Sequence, residues 1–172
     1  EANMELIDII PEFNLYEEFW KIYTKGDIIR PQYISSEAVI DRSIISDGAE
    51  VYGEVHNSVI GPGVTIKKGA VIRDSIIMKE SVIGEGTHVD KSIVAEHVTV
   101  GDNVVMGVGE EAPNVLKPAV YGFGLVTIAE NTVVPSNVKI GKNTAISGET
   151  TPEDYPNGEL VSGGAIVKKD GE

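Results

Sequence analysis

Arg73–Val100 reads RDSIIMKESVIGEGTHVDKSIVAEHVTV. Its isoleucines and valines fall at two interleaved spacings, too regular for a loop, while its glycines argue against a helix. One apolar anchor can be taken from each segment on either side of this stretch. The series runs Ile40, Ile45, Val51, Val55, Ile60, Ile66, Ile72, Ile77, Ile83, Val89, Val94, Val100, Met106, in steps of 5, 6, 4, 5, 6, 6, 5, 6, 6, 5, 6 and 6. From Val55 onward three steps sum to 17, so Ile60 recurs as Ile77 and again as Val94. A second run, Ile128, Val134, Ile140 and Ile146, keeps a strict six. Two residues before each anchor stands a side chain no larger than valine, as at Ala49, Ser58, Ala70, Ser75 and Ser92.

A period of two within each segment means short strands in which the anchor and its small partner face the same way. A bend follows each strand, often at Gly48, Gly61, Gly69, Gly84, Gly101, Asn103, Gly141 or Asn143, residue types that tolerate positive φ. Three strands and three bends close a triangular coil, and stacked coils make a parallel β-helix with a narrow interior corner. Five or six coils at ~4.8 Å spacing predict a prism on the order of 25–30 Å long. A β-sandwich has no reason to hold one spacing through so many consecutive steps. The fold class is therefore all-β, a parallel β-helix with a short N-terminal helical segment.

Composition limits what such a prism can do. The net charge of −13 weighs against broad nucleic-acid or anionic-membrane binding, which need a basic surface. No run reaches the roughly 18 apolar residues of a membrane span, and no secretory signal opens the chain. The absence of Cys removes disulfides and thiolate metal sites, in keeping with a cytoplasmic protein. The sequence starts at Glu1 in mid-pattern, and we expect it to be a piece of a longer protein.

Residues 1–33 do not repeat and are expected to form a linker helix and a cap, with the β-helix domain over 34–172. EANMELIDII predicts the last turns of a helix around Met4–Ile10, stopped by Pro11. Asn14 suits the N-cap of a short helical LYEEFW, with KIYTKGD extended after it. Phe19, Trp20 and Tyr23 would cover the open first coil, with a stacking platform for a ligand base as the alternative. Residues 107–124, GVGEEAPNVLKPAVYGFG, are an excursion from one corner. In the tail, 147–172, Thr151-Pro152 should start one helical turn, and a closing strand should lie near Gly164–Val167.

Three sets of residues are candidates for function. His56, His88 and His97 lie outside the inward positions, and no motif beside them supplies the partner that a catalytic base needs. No metal-ligand spacing joins them either. Asp41-Arg42, His56-Asn57, Arg73-Asp74 and Asp90-Lys91 precede the serines of successive coils. Stacking would set Arg73 between His56 and Asp90, and Asp74 between Asn57 and Lys91, as a solvated salt-bridge ladder. Alternatively Arg42 and Arg73, with Lys67, Lys68 and Lys79, would hold a phosphate-bearing effector. The third set is an outward apolar stripe on one face, Ile44, Val59, Ile76 and Ile93. We expect another domain, another subunit or the excursion to cover it.

The coils IGEGTH and VGDNVV resemble the hexapeptide repeat, which implies a left-handed β-helix. More specific are EANMEL with NLYEEFWKIYT, then PQYI, then the SII, SVI, SII and SIV coils, and the ending TTPEDYPNGELVSGG. Together these resemble the C-terminal part of the bacterial glucose-1-phosphate adenylyltransferases, or ADP-glucose pyrophosphorylases, across essentially the whole chain. That family makes ADP-glucose and pyrophosphate from ATP and glucose 1-phosphate, with magnesium, for glycogen synthesis. Its chemistry belongs to an N-terminal nucleotidyltransferase domain, and no GGxGTRL-like phosphate loop occurs here. The resemblance therefore implies no catalytic residue, no metal site and no cofactor within this chain. It implies an oligomerisation and regulatory domain, inactive alone, within a homo- or hetero-tetramer. The implied partners are the chain's own N-terminal catalytic domain, other subunits and a small-molecule effector near the domain junction. Only Arg30, Arg42 and Arg73 are available for a sugar phosphate, which points to weak or absent effector regulation. A non-catalytic regulatory subunit of the family shares this domain. The alternative from another class is a self-contained hexapeptide-repeat acyltransferase.

Overall fold

The computed structural model of the protein describes residues 2–8, 10–12, 19 and 29–168. Its strands are two to four residues long and assemble into three parallel sheets, here called A, B and C. Sheet A has six strands, from Tyr33–Ile34 to Val133–Val134. Sheet B has seven, from Val39–Asp41 to Glu159–Leu160, and sheet C seven, from Ile44–Ile45 to Ala165–Val167. The chain visits A, B and C in turn, so each coil lies on the one before it and the whole is a three-sided β-solenoid. Seven rungs in two of the sheets exceed the five or six expected, because the tail adds one.

The stacking register follows the repeat. Ile60 pairs with Ile77, and Ile77 with Val94, along sheet C. Val51, Ile66, Ile83 and Val100 do the same along sheet A. These anchors are fully buried and form one continuous core with Ile72, Val89, Met106, Ile128 and Ile140. The small partners at Ala49, Ser58, Ala70, Ser75, Ser81, Thr87 and Ser92 are buried with them. Ile40 and Ile45 of the first coil are only half-buried, since a terminal coil has a neighbour on one side.

The bends divide into two kinds. Gly48, Gly69, Asn103 and Asn143 have the positive φ expected of them. Gly84 and Gly141 do not; they are needed because coils touch there. A Cβ on Gly84 would run into the Gly101 carbonyl oxygen one coil away, and one on Gly141 into the Ser162 backbone.

The N-terminal segment departs from expectation in length. Its helix covers only Ala2–Glu5, not Met4–Ile10. Beyond it the bonds Ile7 N–H to Met4 O and Asp8 N–H to Glu5 O tighten to i→i−3, where Ile7 and Asp8 are weaker helix formers. The proposed cap at Asn14, most of the LYEEFW helix, Trp20, Tyr23 and the extended KIYTKGD lie outside the described residues. Within that stretch Phe19 is described, and it is exposed.

In the tail, Thr151 is the N-cap of a single 3-10 turn, Pro152–Asp154, and the closing strand is Ala165–Val167. Two features there go beyond the sequence reading. Glu159–Leu160 adds a rung to sheet B. Sheet A has no seventh strand among the described residues; there Glu149 bridges to Val133, and Tyr155 is buried in the end of the core.

Candidate functional site

The corner between sheets B and C gathers most of the candidate residues. Arg42, Asn57, Asp74 and Lys91 occupy one column, all with φ between 42 and 47°. This left-handed conformation makes the sharp turn, and it is repeated because each coil must turn at the same place. Their N–H groups bond down the stack, Asn57 to the Asp41 carbonyl, Asp74 to that of His56 and Lys91 to that of Arg73.

Inside the corner runs a chain of serine hydroxyls. Ser58 Oγ accepts the Ser75 N–H at 3.1 Å and donates to the His56 carbonyl at 2.7 Å. Ser75 Oγ accepts from Ser92 N–H at 3.0 Å and donates to the Arg73 carbonyl at 2.6 Å. Sequence reasoning found these positions by their small size. It missed that the hydroxyls accept the buried N–H groups of the serines in the next coil.

Outside the corner, Asp41, His56, Arg73 and Asp90 are in register on successive strands. The expected order of charges is therefore present, and Asn57 donates to the Asp74 carboxylate. The ion-pair ladder is not: among the described residues no salt bridge joins Arg73 to Asp90 or Asp74 to Lys91. Exposed pairs gain little from holding two long side chains in one geometry, so register alone does not bring these groups together. Arg42 instead reaches Asp8 of the N-terminal segment at 3.4 Å. Arg42 and Arg73 stand in adjacent columns two rungs apart. Lys67, Lys68 and Lys79 pair with Asp102, Glu37 and Glu80 respectively.

The stripe lies on the outer face of sheet C, where Ile44, Val59, Ile76 and Ile93 are in register and each half-buried. Asn3 borders a cleft of about 240 Å³ with Val59 and Ile76. Higher on the same sheet, Tyr121 of the excursion borders a recess of about 60 Å³ with Thr127 and Ala145. The N-terminal segment thus approaches the lower part of this face and the excursion the upper part.

The histidines do not meet. His56 and His88 are on sheet B two rungs apart, with His56 3.3 Å from Glu54. His97 is at a different corner, 3.2 Å from Glu80. No group of three His, Cys, Asp or Glu side chains suited to a metal occurs among the described residues. No helix among them is long and apolar enough to cross a membrane.

A solenoid with this register and these small inward residues is a hexapeptide-repeat scaffold. Residues 32–128 match the family described as GlmU-like, C-terminal hexapeptide, and the chain belongs to it. Along its length the chain is 68% identical over 168 residues to a protein of Lachnospira eligens named glucose-1-phosphate adenylyltransferase, covering 98% of this chain and 40% of that one. Proteins of the same name from Acetivibrio thermocellus and Thermotoga maritima are 45% and 41% identical, over 98% and 99% of this chain and 39% and 40% of theirs. The chain spans about 40% of the length of the curated relatives it matches.

Proposed function

We propose that the chain is the C-terminal oligomerisation and regulatory domain of a cytoplasmic glucose-1-phosphate adenylyltransferase. The identity of 68% along 98% of the chain carries this reading. In it, ATP and glucose 1-phosphate give ADP-glucose and pyrophosphate, with magnesium, in a nucleotidyltransferase domain upstream of Glu1. Residues 1–33 link the two domains, and 34–172 form the β-helix domain.

The β-helix supplies rigidity. Its inward side chains are committed to the core and its serine hydroxyls to the backbone, so its work is to hold surfaces in fixed relation. The stripe of Ile44, Val59, Ile76 and Ile93 is one such surface, covered by the linker or by another subunit of a homo- or hetero-tetramer. Arg42 and Arg73 are the anion candidates. An anion at Arg42 competes with Asp8 for the guanidinium and so bears on the linker directly.

The test is expression of the complete reading frame and of these 172 residues alone, each assayed with ATP, glucose 1-phosphate and magnesium. ADP-glucose should form with the complete protein and not with the shorter chain. Acyl transfer from acetyl-coenzyme A by the shorter chain would overturn the reading.

A further inference from the structure

We propose that Asn157 is a self-modification site, whose side chain condenses with the backbone of Gly158 and loses ammonia when the C-terminal end of the solenoid opens. The conversion runs one way and needs no co-reactant other than water.

Asn157 is set apart by the residue that follows it. Six asparagines among the described residues have positive φ, and five of them stand at corners of the prism. After each of those five comes a buried residue of the core, as Ser58 after Asn57 and Val104 after Asn103. The nitrogens that follow are enclosed as well, Ser58 N–H bonding to Ser43 Oγ and Val104 N–H to Thr87 Oγ1. Asn157 is exposed and precedes Gly158, in the one Asn-Gly pair of the sequence. With φ of 57° and 75°, the two residues make a tight left-handed turn, closed by the Glu159 N–H on the Pro156 carbonyl. That turn favours Asn-Gly for its conformation. The same pair presents an amide side chain to a backbone nitrogen that no side chain shields.

In the reaction the Gly158 nitrogen attacks the side-chain carbonyl carbon of Asn157. A nitrogen–carbon bond forms, the bond from that carbon to Nδ2 breaks, and ammonia leaves with the proton that the glycine nitrogen gives up. Water then opens the succinimide at either carbonyl, to aspartate or to isoaspartate, whose main chain runs through the side-chain carbon. The folded turn withholds both requirements of the first step. Its nucleophile is engaged, since the Gly158 N–H donates to the Tyr155 carbonyl at 2.8 Å. Ring closure also needs Cβ and the Gly158 nitrogen on the same side of the Asn157 Cα–C bond, and ψ 24° holds them apart. Tyr155 is buried in the end of the core with its hydroxyl on Thr150, so releasing its carbonyl means opening that end. Isoaspartate then lengthens the main chain inside the turn. The Glu159 bond to Pro156 is lost, and with it the register of Glu159–Leu160 on Lys139 and Ile140.

The test ages the full-length protein at mildly alkaline pH and follows each asparagine by peptide mapping, beside a synthetic peptide of residues 153–162 as the ungated reference. Asn157 should convert before any other asparagine, and roughly tenfold or more slowly than in the peptide. The ratio of the two rates should match the protection of the Gly158 amide in hydrogen exchange, because both processes need the same N–H released. Tyr155→Phe should speed the conversion about fivefold, the rise in open population that loss of one hydrogen bond gives. The Ile77 and Val94 amides should stay unchanged in that variant, as evidence of an intact core. The isoaspartyl product should exchange roughly tenfold faster at Glu159 and Leu160. Asn157→Asp, whose main chain is unaltered, should exchange there like the wild type. Conversion in the folded protein at the rate of the peptide, another asparagine reacting first, or a rate that Tyr155→Phe leaves unchanged overturns the proposal.

Discussion

The Asn114 side-chain nitrogen donates to the Asn143 carbonyl at 2.8 Å, while the Asn143 side chain donates to the Ala112 carbonyl at 3.0 Å. The two residues, 29 apart in sequence, fasten both arms of the excursion to the prism. Asn114 Oδ1 accepts the Leu116 and Lys117 N–H groups, and Asn143 Oδ1 accepts that of Gly124. Asn114→Ala leaves several of these groups without partners, at a cost on the order of 2–3 kcal/mol. Asn114→Asp keeps the acceptor but faces two carbonyl oxygens. We expect both to lower the unfolding midpoint and to speed proteolysis within 107–124. A loop that stays resistant in both variants would show that the fastening lies elsewhere.

The serine chain makes a second prediction. Ser75→Ala removes the acceptor of the buried Ser92 N–H with little change in the volume of the core. The cost should be about 1–3 kcal/mol, read as a lower denaturant midpoint with the slope unchanged. If small size alone explains the position, the alanine variant will be as stable as the wild type.

The C-terminal turn is sensitive to acid. The Lys168 ammonium, 2.5 Å away, and the Thr151 N–H hold the Asp154 carboxyl below its ordinary 3.8. A carboxyl with a lowered folded pKa stabilises the fold above its unfolded value, and this is lost as pH falls through the folded one. Asp154→Asn should therefore loosen the tail at pH 7 and make progressively less difference below pH 3.8. Exchange of the Asp154 and Tyr155 amides across that range is the measurement; a difference independent of pH would remove the charge from the explanation.

The parts of the fold that were legible are those in which one geometric demand repeats. The anchors at Ile60, Ile77 and Val94 had to recur because every coil has the same perimeter, and the size limit at Ser58, Ser75 and Ser92 follows from the same triangle. Of the last rung, the strand with Ile166 was read and the one with Leu160 was not, although the two are again six apart; a glycine-rich, proline-interrupted approach hid it. What the repeat does not encode was not legible. The pairing of Arg42 with Asp8 depends on where the linker lies, and the bonds of Asn114 depend on a loop that belongs to no coil. The ladder around Arg73 failed as ion pairs because register fixes strands but not long, solvated side chains.

Tyr155 is 2% exposed and its hydroxyl lies 2.9 Å from that of Thr150, which in turn donates to the Val133 carbonyl. It fills the end of the core beyond the last strand of sheet A. Burial pushes its phenol up to about 12, against an ordinary 10.0. An acid whose folded pKa is raised stabilises the fold below the unfolded value, and that contribution is lost as pH rises through the folded one. The Tyr155 contribution to stability should accordingly be constant below pH 10 and fall between 10 and about 12, with phenolate absorbance of one tyrosine appearing only as the end opens. Tyr155→Phe removes the titration and one hydrogen bond, and should cost about 1 kcal/mol at pH 7 while abolishing its share of the alkaline loss. Tyr155→Ala leaves a cavity and should cost about 3–5 kcal/mol. If the phenylalanine variant loses stability in alkali as steeply as the wild type, the plug is not the group that opens.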